Sequence, residues 1–171
     1  GTILHWDGKT WAQFKSPTLK SLSGVAGRAA NDVWAVGDDG VTLHFDGKTW
    51  QQTDESAGNT LLGVWLDTKN RVWVAGIGEE TGLLRHYTGT KWEQHSIGAS
   101  SSLWRAWGVE ANDVWMIGSD RSAAGFVLRG DGTNFDRSPF KGSTLRGIWG
   151  SASNDVWIAA YGGDLFHWDG S

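Results

Sequence analysis

The apolar and polar positions of this chain repeat one pattern four times. Each copy carries a Val-Trp pair inside a short apolar run, as in NDVWAVG from Asn31, and an Asn stands three positions before the Trp. These tryptophans lie 39, 42 and 42 residues apart along the chain; they are Trp34, Trp73, Trp115 and Trp157. A period of this length indicates a repeat architecture in which each unit buries its apolar face against the next.

Each repeat predicts four short strands joined by tight turns. In the first complete repeat we expect strands at residues 22–27, 32–37, 41–47 and 48–53, separated by Gly, Asn or Asp. Turn residues at intervals of about 8 to 12 positions favour antiparallel strands joined as hairpins. The first strand has apolar residues on both faces, which predicts that it is buried on both sides. No segment has a convincing helical stripe.

The fold class predicted by this pattern is all-β, with four-stranded antiparallel blades arranged as a β-propeller. We expect residues 1–171 to form a single β-propeller or part of one, made of four repeats in permuted frame. The repeats are expected at approximately 1–19 (third and fourth strands only), 20–58, 59–100, 101–142 and 143–171 (first to third strands). A β-sandwich or a jelly roll would not repeat with this period.

The chain begins and ends in the same phase of the repeat, with a third strand in GTILHWDG and again in GGDLFHWDG. The fourth strand at residues 9–14 is expected to complete the blade that begins at residue 145, which would displace the duplicated third strand. Blades of this size more often form rings of five to eight than rings of four. We therefore expect either a piece of a larger ring or self-association, with a homodimer forming an eight-bladed ring.

The composition narrows the classes of partner. The chain has 13 Trp among 171 residues, and its net charge is -4. Because the chain has no excess of positive charge, nucleic acid is a disfavoured partner. The apolar runs are too short for a membrane span. The absence of Cys excludes disulfides and thiolate metal sites.

The side chains that could bind a metal or take part in catalysis occupy repeated positions, which favours structural roles. One column contains His5, His44, His86 and His167. Equivalent positions in neighbouring blades do not converge on one ion, so we expect hydrogen bonds between strands or blades and no metal site. His95 lies outside this column and receives no role.

Asp residues that precede Gly are expected to cap turns. Arg71 replaces the Asp that stands before the second strand in the other copies, and that turn is expected to lose a side-chain cap. No catalytic constellation or cofactor motif is present, so we expect no enzyme activity and no cofactor.

The motif NDVWAVG…TLHFDGKTW resembles the Trp-rich β-propeller repeats of large bacterial surface and secreted proteins. Its turn between the third and fourth strands is similar to a shortened Asp-box, also called a BNR repeat, of sialidase-type blades. The HWDG sequence is distantly similar to the Trp-Asp ending of WD40 strands. The resemblance implies a bacterial protein that is secreted or displayed on the cell surface.

The repeats differ most in the link between the second and third strands, on the rim that also carries the link between blades. Recognition in repeat proteins concentrates in such loops. The ligand-contact residues predicted on this rim are Glu79, Glu80, Asp120, Arg121 and Tyr161. The favoured function is a non-catalytic propeller scaffold that acts as a binding or assembly module for itself, a protein or a glycan. The alternative is a lectin-like carbohydrate-binding propeller, which requires exposed tryptophans beside Asp, Asn or His on the loop rim.

Overall fold

A computed structural model describes residues 1–56, 58–78, 81–97, 101–140 and 143–171. The chain forms an N-terminal hairpin, three four-stranded blades and a three-stranded fourth blade, and in each sheet the strands follow chain order and pair antiparallel. The hairpin consists of β1 (Ile3–Trp6) and β2 (Trp11–Phe14). The first blade consists of β3 (Leu22–Ala29), β4 (Asp32–Gly37), β5 (Thr42–Phe45) and β6 (Trp50–Asp54).

The other three blades repeat this order of strands. The second blade consists of β7 (Thr60–Leu66), β8 (Val72–Ile77), β9 (Gly82–Tyr87) and β10 (Trp92–His95). The third blade consists of β11 (Ser101–Glu110), β12 (Asp113–Asp120), β13 (Gly125–Gly130) and β14 (Phe135–Phe140). The fourth blade consists of β15 (Leu145–Ala152), β16 (Asp155–Ala160) and β17 (Leu165–Trp168).

The strand pattern confirms the predicted all-β propeller fold. In the first repeat, the second strand coincides with the expected residues 32–37, while the other three differ by a few residues at their ends. No helix is present in the described residues, and they contain no helical segment that is long and apolar enough to cross a membrane.

The blades pack side by side through their first strands. Contacts run from β3 to β7, from β7 to β11 and from β11 to β15. Among the described residues, no comparable packing joins β15 back to β3. The four blades therefore form an open arc, with one blade face uncovered at each end.

The hydrophobic core lies in the seams between sheets. Trp34 joins Leu61, Val64 and Val74 in the seam between the first and second blades. In the next two seams, Trp73 and Trp115 likewise pack against apolar residues of the following blade. These tryptophans are at most 5% exposed. Burial of about 150 to 250 Å² of aromatic surface at each position makes the seams the main source of stability.

A second tryptophan packs over a glycine of the next blade in two of the seams. The ring of Trp65 covers Gly108, where a Cβ atom would lie 2.7 Å from the ring. The ring of Trp107 covers Gly150 in the same way, at 2.6 Å. At each glycine a Cβ atom would also lie 2.6 Å from a backbone carbonyl of its own blade, so the ring and this carbonyl together leave no room for a side chain.

The first strands are not all buried on both sides, contrary to the prediction. In β7, Leu61 and Val64 are buried because a blade stands on each side. At the ends of the arc, Val25 of β3 is 70% exposed and Trp149 of β15 is 61% exposed. The physical reason is that the apolar pattern describes a blade between two neighbours, which the terminal blades lack.

Turns between the third and fourth strands follow the Asp-Gly prediction. The carboxylate of Asp46 accepts hydrogen bonds from the backbone N–H groups of Lys48 and Thr49, both at 2.8 Å. The following Gly47 has a φ of 92°, a conformation that favours glycine. The sequence pattern therefore identified both the position and the chemistry of this turn.

Candidate functional site

An Asp-Trp-His cluster joins the second and third strands at two places in the arc. In the first blade, Oδ1 of Asp32 accepts hydrogen bonds from Nε1 of Trp34 at 2.9 Å and from Nε2 of His44 at 3.0 Å. Burial would raise the pKa of Asp32, but hydrogen bonds from Arg28, Trp34 and His44 outweigh it and hold the pKa below its usual value. His44 thus has the structural role between strands that its column predicted.

The same cluster recurs in the fourth blade. Oδ1 of Asp155 lies 3.0 Å from Nε1 of Trp157 and 2.8 Å from Nε2 of His167. Hydrogen bonds from Ser151 and His167 lower the pKa of Asp155. In the third blade, Arg129 replaces the histidine and donates to Asp113 at 2.9 Å. These polar side chains fix their tryptophans in place.

The second blade replaces the missing Asp with one from a neighbouring turn. Oδ2 of Asp67 accepts hydrogen bonds from Nε1 of Trp73 at 3.1 Å and from Nε of Arg71 at 2.5 Å. Oδ1 accepts from the backbone N–H groups of Lys69 and Arg71 at 2.8 and 2.9 Å. The prediction that this turn loses its side-chain cap is therefore wrong. Arg71 pairs with a different carboxylate, that of Asp67. Because Asp67 lies outside the aligned column, the repeat pattern could not reveal this pair.

A pair of histidines, His86 buried and His95 half-buried, lies in the seam between the second and third blades. Nδ1 of His86 is 2.7 Å from Nε2 of His95, and both rings stack on Trp73. Phe135 of the third blade meets His95 edge-on. Burial lowers the pKa of both histidines. The part of the chain that the structure describes contains no group of three or more His, Cys, Asp or Glu side chains suited to a metal ion.

Of the predicted loop-rim residues, Asp120, Arg121 and Tyr161 lie in the described part of the chain. Glu79 and Glu80 lie outside the described residues. The carboxylate of Asp120 is engaged within its own loop, where it accepts hydrogen bonds from the backbone of Ser122 and Ala124 at 2.9 and 3.1 Å.

Among the described rim residues of the prediction, Arg121 and Tyr161 are exposed, and Tyr161 is 77% exposed. Thr144 bridges their two loops, since its hydroxyl donates to the carbonyl of Ala123 at 3.2 Å and its carbonyl accepts from the backbone N–H of Tyr161 at 2.8 Å. The third and fourth blades therefore present these two side chains on a shared rim.

The C-terminal end face is formed by the residues of the fourth blade that point away from the third blade. It carries Trp149, Trp157 and Leu165, which are 61%, 37% and 62% exposed. Trp157 is the fourth member of the column in which Trp34 and Trp115 are each 5% exposed. The repeat pattern places Trp157 in the same column as the buried Trp34, Trp73 and Trp115. The signal that it missed is the lack of a following blade.

The N-terminal end face is formed by the hairpin and the uncovered side of the first blade. Its exposed apolar residues are Leu4, Trp6, Trp11 and Val25. Beside them lies a groove of about 460 Å³, lined mainly by apolar residues that include Val25, Val33 and Ala35. The two end faces are therefore apolar surfaces of the kind that mark interaction sites.

A wider trough of about 890 Å³ lies between the third and fourth blades, beside the outer edge of β17. Its apolar wall includes Trp115, Phe140 and Phe166. Two buried polar atoms that line it, Oδ2 of Asp113 and Nε1 of Trp168, have no hydrogen-bond partner. Because buried polar groups are normally paired, the trough is suited to an occupant that covers apolar surface and supplies polar groups.

Comparison with known proteins supports the fold and leaves the family open. No protein-family model matches the chain, and a search of curated sequences gives no match. The structure is similar to a structure described as YCF48 bound to D1 peptide, with a TM-score of 0.69 and 17% identity over 98% of this chain and 57% of that one.

Two further solved structures have similar scores. YCF48 from Cyanidioschyzon merolae gives a TM-score of 0.68 at 15% identity, and streptogramin B lyase gives 0.71 at 12% identity. Each similarity covers 98% of this chain and 61% of the other. These proteins are β-propellers, and this chain spans about three fifths of their length. At such low identity, the shared property is the fold.

Proposed function

We propose that this chain is a non-catalytic β-propeller scaffold that acts as a binding and assembly module through its two end faces. The end faces take up further blades, either from a longer chain or from a second copy. Completion by a second copy would give an eight-bladed homodimeric ring. The exposed rim around Arg121 and Tyr161 is the candidate surface for a protein ligand.

The observation that carries this proposal is the repeated column of tryptophans. Trp115 is 5% exposed because the fourth blade covers it, whereas the equivalent Trp157 is 37% exposed. An apolar side chain that interior copies bury gains free energy when a neighbour covers it. Peptide binding by YCF48, as the description of that structure states, agrees with a binding role for this fold.

The roles of the carboxylates and histidines support the non-catalytic part of the proposal. Asp32 and Asp155 accept hydrogen bonds from the tryptophan and histidine side chains of their own blades. Asp67 is held by Arg71 and Trp73. Each carboxylate holds a tryptophan of its own blade, which supports a structural role.

Sedimentation equilibrium over a dilution series tests the proposal. We expect a mass above that of one chain at high concentration, and Trp157→Lys should return it to the single-chain value because a charge would be buried in the seam. Leu19→Lys is the matched control, since Leu19 is fully exposed in a loop outside both end faces. A single-chain mass for the unmodified chain at every concentration would contradict assembly.

Carbohydrate binding is the second candidate. The observation in its favour is the trough, where Trp168 and Asp113 offer an unpaired donor and an unpaired acceptor beside apolar surface. A sugar presents hydroxyl groups and an apolar face to such a site. A glycan array combined with tryptophan fluorescence tests this candidate. A blank array with no change in fluorescence on addition of sugars removes it.

A further inference from the structure

The seams between blades follow a size rule at one pair of positions. The two positions are the residue eight before the aligned tryptophan in one blade and the residue seven before it in the next blade. Across the three complete seams, Ala26 and Leu66 pack against the same core cluster, Trp65 lies over Gly108, and Trp107 lies over Gly150. A small residue faces a large one, and a large residue faces glycine, because the ring and a Cβ atom cannot share the space.

Two residues of this rule are left without a partner in the arc. Trp149 is the large residue of the fourth blade, and its ring is 61% exposed. Gly27 is the glycine of the first blade, and the nearest atoms to a Cβ built there belong to Asp32 and Val33 of its own blade. At Gly108, by contrast, Trp65 of the preceding blade is among the nearest atoms.

We propose that these two residues meet between molecules, with Trp149 of one copy packed over Gly27 of a second copy. This inference rests on the proposed function, because it names the partner of the end faces and the contact that selects it. Both halves of the missing seam are present in one chain, and they obey the same size rule as the complete seams. A second copy therefore supplies the matching surface.

The groove beside Gly27 has the composition of an unfilled seam. In the second blade, Val64 and Val74 are 8% and 0% exposed because Trp34 and Ala26 of the first blade pack against them. The equivalent Val25 is 70% exposed and lines the groove together with Val33 and Ala35. Trp157 of the incoming copy corresponds to Trp34, so it enters this groove next to Trp149.

The same docking places the N-terminal hairpin of the second copy on the fourth blade of the first copy. The hairpin packs on its own first blade through Ile3 and through the edge-on contact of Phe14 with Phe45. It therefore stands where the outer two strands of the preceding blade belong. The incoming β1 takes the place of β17, which carries the same His-Trp-Asp-Gly sequence, and β2 adds the missing fourth strand.

This exchange fills the trough between the third and fourth blades. Leu4 and Trp6 take the positions of Phe166 and Trp168, and Trp11 enters beside Trp115. The complete seams contain such a residue already, since Trp92 packs in the seam of Trp34 and Phe135 meets Trp73.

One interface thus accounts for most of the exposed apolar residues. Nine large hydrophobic residues are exposed in the described part of the chain, and the interface covers six of them; a seventh, Leu165, belongs to the displaced β17. The remaining two are Leu19 and Tyr161, which lie in loops.

A size-swap experiment tests the contact. Gly27→Leu should weaken self-association about thirtyfold or more, as expected when the central tryptophan of an interface loses its place. Adding Trp149→Ala should restore association, because the double variant recreates the Ala26 and Leu66 pair of the first seam. A purely structural defect in Gly27→Leu would not be repaired from the other end of the chain. Sedimentation gives the mass, and circular dichroism verifies that each variant folds.

A cross-link tests the strand exchange. The register of β16 with β17 pairs Ala159 with Leu165, so the incoming β1 should place Ile3 of the second copy opposite Ala159. The double variant Ile3→Cys and Ala159→Cys should form disulfide-linked dimers on oxidation, whereas each single variant should not. An intramolecular disulfide would show closure within one chain and overturn the inference. A multimeric mass without cross-link or size-swap rescue would also overturn it while leaving the proposed function standing; a single-chain mass would overturn both.

Discussion

The interior and the end of the arc contain the same blade sequence in two different environments. Trp115 and Trp157 each have an Asp two positions earlier, and each donates from Nε1 to that carboxylate at 3.0 Å. Trp115 is buried against the fourth blade, while Trp157 faces outward with 37% of its surface exposed. The difference shows that a blade folds its own strands and turns but needs a neighbour to bury its tryptophan.

The largest expected effect separates these two tryptophans directly. Trp115→Ala should lower the free energy of unfolding by about 3 to 5 kcal/mol, the range for truncating a buried aromatic residue. Trp157→Ala should cost less than about 1 kcal/mol, as for a surface substitution. Both are measured by urea denaturation in the Gly27→Leu background, where we expect a single chain. Equal costs would show that burial by a neighbour does not distinguish the two positions.

The next effect concerns Asp67, whose carboxylate binds Trp73 in place of the Asp that the second blade lacks. Asp67→Asn should lower the free energy of unfolding by about 3 kcal/mol, because Arg71 loses its partner in a buried pair. Adding Arg71→Asp should recover part of the loss, since this variant restores the Asp that stands two positions before the tryptophan in the other blades. Urea denaturation gives both values. A double variant no more stable than Asp67→Asn would mean that the two carboxylates are not equivalent.

The smallest effect concerns the histidine pair of the interior seam. Burial lowers the pKa of His86 and His95, and the positive charge of Arg71 acts in the same direction on both, whereas Glu93 opposes it. The unfolded chain binds protons near pH 6.5, but the folded chain binds them only at lower pH. Stability should therefore be complete above about pH 6.5 and should fall as the pH drops toward the lowered pKa values.

His95→Gln provides the comparison for this pH effect. It removes one of the two histidines with lowered pKa values, so the urea midpoint should change less between pH 7.5 and the acid side of the window than in the unmodified chain. An identical pH dependence in both proteins would assign the effect to other groups.

The sequence predicted the features that a repeat specifies locally. The Asp-Gly turns, the second strand at residues 32–37 and the buried column of Trp34, Trp73 and Trp115 follow from residue patterns within one copy. His44 bonds to Asp32 across strands as its column indicated. These predictions succeeded because the interactions recur in neighbouring copies or lie within a few residues.

The remaining features depend on contacts that are absent from the pattern of one copy. Asp67 replaces the missing carboxylate from a turn outside the aligned column, and His95 meets His86 through strand pairing. The exposure of Trp149 and Val25 results from their place at the ends of the arc. Aligned positions have similar residues whether or not a blade has a neighbour on both sides. The repeat pattern therefore could not identify the blades that lack a neighbour.

Hydrogen–deuterium exchange in a dilution series tests the central claim most directly, because it reads interior and end strands in one experiment. We predict that β8 and β12 stay protected at every concentration, whereas β16 and β1 lose protection together as dilution lowers the mass to that of one chain. Protection of β16 equal to that of β8 in the single chain would contradict the claim that a blade needs a neighbour to complete its seam.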